Sequence, residues 1–316
     1  MDNDGLTRLV DTYESYSDYD DESARDLVAY STSTYEALFD PLSVDDAIGL
    51  ISTYSSSSDY DESAGELFNA AHRTIIILNE KKFPADDALK LIQKYSTSSG
   101  EDESAKSLSS AAYATIETAL TDKTPLDDIL SLIDSYEGCS YQYESAESLS
   151  KATNSTLEKI YQTGLQVSDA VKVMKTFNDV SSSEDDAEDL ARLIAPLFDK
   201  LSETKLSLID ACATMNAYYQ ESAQNEPSSI MLDVTCRTLD YMKTNGLNIN
   251  DTVEKIKQES AKLKDKPKQE YEKAKADIKK ENGAFQDIKL FVLWYKSLNR
   301  YIDVPSATEI CDNLVK

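Results

Sequence analysis

The chain holds few residues suited to catalysis. His72 is its single histidine, so any Ser-His or Cys-His nucleophile would have to use it. It follows Ala71 in an apolar-patterned stretch with no cysteine nearby in the sequence. It therefore reads as a surface or groove-lining side chain. Acids number 58, too many for any two to stand out as a general acid and base. No glycine-rich phosphate loop occurs. Cys139, Cys212, Cys236 and Cys311 have neither disulfide nor zinc spacing, and Cys212 and Cys236 read as core filler. The expectation is a protein that is not an enzyme and has no cofactor or metal.

Serine-rich acidic segments are the more promising chemistry. They read Ser17 to Glu22, Ser58 to Glu62, Ser99 to Glu103 and Ser181 to Asp186. Oxygen ligands suggest calcium, but the sixth position counted from Asp18 is Ser23, where an EF-hand loop needs glycine. Tyrosines stand among the acids, and exposed aromatic rings beside charge suit protein contacts. The partner-binding candidates are Tyr19, Asp20, Asp59, Tyr60, Asp61, Glu62, Glu101, Asp102, Tyr141, Tyr143, Glu184 and Asp185.

These segments recur because the whole sequence recurs. An aromatic stands at Tyr13, Tyr54, Tyr95, Tyr136, Phe177 and Tyr218, 41 residues apart. An aspartate keeps the period at Asp46, Asp87, Asp128, Asp169, Asp210 and Asp251, and a serine at Ser17, Ser58, Ser99, Ser140, Ser181 and Ser222. Three residue types in one register mark a tandem array. Before each aromatic runs an i, i+3, i+4, i+7 apolar stripe such as Ala88, Leu91, Ile92 and Tyr95, which predicts an amphipathic helix A. The periodic Asp falls in its first turn and reads as a cap. A second stripe follows each acidic segment and predicts helix B. Its start is placed at the periodic serine, where Ser58 with Asp61, Ser99 with Asp102 and Ser181 with Glu184 resemble capping boxes. In the sixth copy Pro227 moves the expected start to about Asn225.

The expected fold is all-α: a right-handed α-solenoid of about six 41-residue helical hairpins. It resembles HEAT and armadillo arrays in repeat length and hairpin architecture only; the shorter ankyrin and tetratricopeptide repeats do not fit. Residues 1–246 are assigned to the array and 247–316 to an irregular helical cap. Within the cap, a polar helix is expected over 267–282, an apolar helix over Phe285–Tyr301 as lid or docking element, and a last helix after Pro305 with Ser306 and Glu309 as its capping box.

The charge is uneven. Residues 1–251 carry 18 basic and 47 acidic side chains, a balance of −29, whereas residues 252–300 carry 13 and 8, or +5. Such an array should repel nucleic acid and anionic membranes and attract a protein with a basic surface. The expected function is a protein-binding scaffold or adaptor, with self-association as the alternative and a cation-binding module or enzyme as a remote third. No stretch reads as a signal peptide or membrane span. A cytoplasmic setting is expected, with export by a specialised system left open.

Overall fold

A computed structural model describes residues 3–17, 22–119, 124–140, 143–181, 185–222, 226–280, 286–298 and 304–316. Among them the chain is helical, without an extended strand. In chain order the helices are α1 (Asn3–Tyr16), α2 (Ala24–Ala37), α3 (Val44–Ser57), α4 (Ala64–Lys81), α5 (Ala85–Ser98), α6 (Ala105–Ala119), α7 (Leu126–Cys139), α8 (Ala146–Thr163), α9 (Val167–Val180), α10 (Ala187–Thr204), α11 (Leu208–Glu221), α12 (Ser228–Asn245), α13 (Ile249–Lys280), α14 (Gln286–Leu298) and α15 (Ala307–Leu314). They form two compact units, one of Met1–Met174 with Glu184–Ala195 and one of Lys175–Ser183 with Pro196–Lys316.

In the first unit each odd helix pairs with the even helix after it, as in α3 with α4. Odd helices also stack on odd ones and even on even, and each odd helix from α1 to α5 touches the even helix of the next pair. Helices A and B thus form two adjoining layers with the core between them. The periodic aspartate caps helix A in some repeats only: Asp46 with Ser43 and Asp210 with Ser207 make full capping boxes, whereas α5 and α7 have Pro84 and Pro125 at the N-cap and no side-chain cap bond. Helix B ends in a left-handed residue at Lys82, Gly164, Lys205 and Gly246. These positions share the 41-residue register, and glycine fills two of them.

The aromatic ladder belongs to the core of each unit. Tyr13, Tyr54, Tyr95, Tyr136, Phe177 and Tyr218 are wholly buried. Each tyrosine hydroxyl meets a helix B threonine: Thr34, Thr74, Thr115 and Thr238 at 2.6–2.8 Å, and Thr156 likewise. Thr74 spends its own proton on the Ala70 carbonyl, so Tyr54 is the donor of that pair. At Phe177 the hydroxyl is missing, and twenty residues on stands buried Leu197 instead of threonine. Donor and acceptor are lost together, which leaves no buried polar group unmatched.

The second unit contains a seventh repeat. Helix α13 packs on α11 as a helix A does, and Ser260 donates to the Glu221 carbonyl 39 residues back, as Ser96 does to Ser57. Helix α15 touches α13, α12 and α11, the neighbours of a helix B. Cross-repeat contacts give the register. Arg237 pairs with Asp312 across 75 residues, where Arg73 reaches Ser110 across 37. Glu226 accepts from the Ala307 amide across 81, where Glu62 accepts from Ala105 across 43. Both differences are 38. The last repeat is therefore split by a 38-residue insertion made of the second half of α13 and α14. The irregular cap expected from sequence is a repeat whose two helices lie far apart in the chain. Its capping box at Ser306 and Glu309 is as expected.

Two other boundaries differ from expectation. Helix α13 runs through Pro267 instead of starting there, since one proline removes a single backbone bond while Lys, Glu and Ala on both sides favour helix. Helix α12 starts at Ser228, after Pro227 as N-cap, because proline fits a helix start that lacks partners for its amides.

Breaking one tyrosine–threonine pair should reveal its asymmetry. Thr74→Val leaves the Tyr54 hydroxyl buried without an acceptor and should lower unfolding free energy by about 1–3 kcal/mol. Tyr54→Phe should cost less, and the double variant less than the sum, as read from denaturant midpoints.

Alkali should attack the same ladder. Burial pushes Tyr95 up from 10.0 to about 12 and raises Tyr13, Tyr54, Tyr136 and Tyr218 as well. Stability from these groups is full below their unfolded value of about 10 and is lost as pH rises through the folded values. Tyrosinate absorbance and helical circular dichroism should change together above about pH 10. Buried tyrosines that ionise without helix loss would contradict this.

Candidate docking edge on the inter-helix loops

The loops from helix A to helix B in repeats two to four share one construction. Ser58, Ser99 and Ser140 end their helices, each amide donating to the tyrosine carbonyl four residues earlier. The periodic serine is thus a C-cap, and helix B begins six residues later. Ser63 with Glu66 is its real capping box, and Ser145 caps α8. The expected boxes Ser58–Asp61 and Ser99–Asp102 do not form. Ser58 and Ser63 are both followed three residues on by an acid, and only the crossing of residues 58–62 to the next repeat separates them. Ser181 with Glu184 cannot be compared, because Glu184 lies outside the described residues.

What the loop positions is a buried glutamate. Glu62, Glu103 and Glu144 are 3, 3 and 5 % exposed. Ser58 Oγ donates to Glu62 Oε1 at 2.6 Å, and the same oxygen accepts the Ala105 amide of the next repeat at 2.7 Å. Glu103 accepts the hydroxyls of Ser99 and Ser107 and the Ala146 amide. Glu144 accepts Ser148 Oγ at 2.6 Å and the Ala187 amide at 2.8 Å. Each carboxylate therefore sits at the N-terminus of the following helix B, where unpaired amides and the helix dipole favour negative charge. Charge-assisted bonds from several donors offset its desolvation. The backbone joins in: Asp59 N–H donates to the Glu103 carbonyl at 2.8 Å and Gly100 N–H to the Glu144 carbonyl at 2.9 Å.

The candidates then separate. Glu62 is structural and buried, not a contact residue: the junction needs its charge inside. Asp59 is exposed, but its Oδ2 accepts the Glu103 amide at 2.9 Å. Asp61, Glu101 and Asp102 are exposed without an ion-pair partner among the described residues. Tyr60 is 55 % and Tyr143 83 % exposed. A Cβ on Gly100 would stand 2.4 Å from the Tyr143 ring, so only glycine leaves room for it. Asp185 is half-buried just before α10. Tyr19, Asp20, Tyr141 and Glu184 lie outside the described residues.

Two surface clefts result. One of about 580 Å³ is lined by Tyr60, Asp61, Glu66, Glu101, Asp102 and Glu147, with Ser104, Ser107, Ser145 and the buried Glu62 and Glu103 at its floor. Among the described residues no basic side chain lines it, although Lys151 reaches Glu147 at 2.9 Å. The other, about 890 Å³, lies against Gly100, Glu101, Glu137 and Tyr143. Such clefts attract cationic groups and offer rings to their stems. Among the described residues no three His, Cys, Asp or Glu side chains are placed to hold a metal ion. His72 lies half-buried with its ring 5.0 Å from Phe68, and burial lowers its pKa. It packs on an aromatic ring and is less exposed than the surface or groove-lining side chain expected from sequence.

The sequence reading counted the glutamates as part of the exposed acids, although a signal was there. Glu62-Ser63-Ala64, Glu103-Ser104-Ala105 and Glu144-Ser145-Ala146 repeat as triplets in the common register. No protein-family model matches the chain, and no curated protein or solved structure is significantly similar to it.

Replacing Glu103 should separate structure from surface. Glu103→Ala strands the Ala146 amide and should cost about 3 kcal/mol, whereas exposed Glu101→Ala should stay within about 0.5 kcal/mol. Equal midpoints for the two variants in urea would contradict the bridging role.

Proposed function

We propose that the chain is a non-enzymatic scaffold that binds another protein along its loop edge, built as a right-handed stack of HEAT-like hairpins and working in the cytoplasm. The observation that carries this reading is the cleft of Asp61, Glu66, Glu101 and Asp102 with Tyr60 beside it. It is acidic, has no basic lining residue, and stands on loops locked by backbone bonds between repeats. A rigid charged groove with aromatic rims suits a lysine- or arginine-rich segment of a partner. Charge would set the encounter rate and the rings the residence time. End-to-end self-assembly is the weaker alternative. The bridging glutamate has no counterpart in the last repeat, where Pro305 takes its place before Ser306 and Ala307. A further copy stacked there would meet no carboxylate for its helix B.

Calorimetric titration with lysine- and arginine-rich peptides tests the reading at two salt concentrations. Asp61→Asn, Glu101→Gln and Asp102→Asn together should weaken binding about tenfold at low salt and less at high salt. Tyr60→Ala should mainly speed dissociation. Affinity unchanged by both salt and substitutions would refute the cleft as the site.

A further inference from the structure

The larger of the two clefts, about 890 Å³, is built differently from its neighbour. In the second repeat the loop position after the capping serine is Asp59, whose Oδ2 accepts the Glu103 amide at 2.9 Å. In the third repeat the same position is Gly100. It keeps a backbone bond to the next repeat, donating to the Glu144 carbonyl at 2.9 Å, but brings no carboxylate. The Tyr143 ring takes part of the space, where a Cβ on Gly100 would meet it at 2.4 Å. The rest is open and lined by Ser98, Glu101, Glu137 and Ser140.

Two polar groups of this lining are unsatisfied. Ser98 is 4 % exposed, and its Oγ is buried with no hydrogen-bond partner. Ser140 Oγ is also buried and unpartnered, although Ser58 and Ser99 at the same register spend their hydroxyls on Glu62 and Glu103. Buried hydroxyls are rarely left without a partner, and two beside one cleft point to a guest that supplies it.

The rest of the lining restricts that guest. Glu101 is exposed with no ion-pair partner among the described residues. Glu137 has Lys94 at 3.8 Å, but Lys94 lies closer to Asp134. The oxygens of Glu144 are already taken by Ser148 and Ala187. Among the described residues no basic side chain lines the cleft. An anionic guest would be repelled, and an apolar one would leave the hydroxyls unpaired. The guest must bring positive charge and several N–H donors. A lysine ammonium is a point charge with three donors. An arginine guanidinium has five in a flat fork, and it stacks on an aromatic ring while bonding in its own plane. Tyr143, 83 % exposed, presents such a ring.

We propose that this cleft is an arginine subsite, in which a partner's guanidinium stacks on Tyr143, pairs with Glu101 and Glu137, and donates to the Oγ atoms of Ser98 and Ser140. The subsite rests on the reading of the loop edge as a site for a cationic protein segment, and it adds selectivity for arginine over lysine at one place on that edge. Glu101 lines both clefts, so a single segment can set one cationic side chain in each.

Two peptides of equal length and charge, one built on arginine and one on lysine, test the subsite when titrated calorimetrically into the full chain at low salt. The arginine peptide should bind about tenfold more tightly. Tyr143→Ala should weaken the arginine peptide about fivefold and leave the lysine peptide unchanged. Tyr143→Phe should keep the preference, because it keeps the ring. Ser98→Ala with Ser140→Ala should reduce it at an unchanged melting temperature, since neither hydroxyl has a partner within the chain. Gly100→Ala should abolish it by displacing the Tyr143 ring. Equal affinity for the two peptides with salt dependence intact overturns the subsite and leaves the acidic edge standing. Equal weakening of both peptides by Tyr143→Ala overturns it as well. Binding of neither peptide overturns both the subsite and the reading on which it rests.

Discussion

A carboxylate buried between repeats holds this fold together. Glu62, Glu103 and Glu144 each belong to one repeat and satisfy the first amides of helix B in the next. A helical hairpin always leaves amides unpaired at its helix starts. Here the remedy comes from the neighbour, so stacking is rewarded by hydrogen bonding as well as by apolar burial. Register follows, because sliding one repeat past the next would leave both a buried charge and an amide without partners. The serines before Glu62 and Glu103 are drawn into the same network, whereas Ser140 before Glu144 is not. Ser58 and Ser99 use their hydroxyls on Glu62 and Glu103, which makes them structural despite their exposed-looking acidic context.

The seventh repeat departs from the others at its bridging position. Its helix B, α15, accepts the bridge from Glu226, and its own bridging position holds Pro305. A 38-residue insertion is tolerated inside this repeat because its two helices are fixed by their neighbours: α13 by α11, α15 by α12 and α11. Closing a longer loop costs only slowly growing entropy. The insertion thus leaves the packing intact and adds surface.

Charge divides the molecule along the same line. The array is strongly acidic on loops whose backbone is pinned between repeats, while the insertion is basic and carries exposed rings.

The 41-residue register of Tyr95, Asp87, Ser99 and their equivalents was enough to read helical hairpins and their apolar faces, because periodic burial writes itself into periodic residue type. The same register held the glutamate, but composition could not tell a buried acid from the exposed Asp61 and Glu101 beside it. Whether an acid is inside depends on which amides face it, and those belong to a helix 43 residues away. The threonine partners of the tyrosines were hidden for the same reason, since a bond twenty residues long has no local signature. Helix starts were misplaced at Ser58 because two serine–acid spacings compete there and only the path to the next repeat chooses between them. The seventh repeat escaped detection because its halves are separated by 38 residues. Sequence period records neighbours at constant spacing, and only the packing of α15 on α12 and α13 joins what the insertion divides.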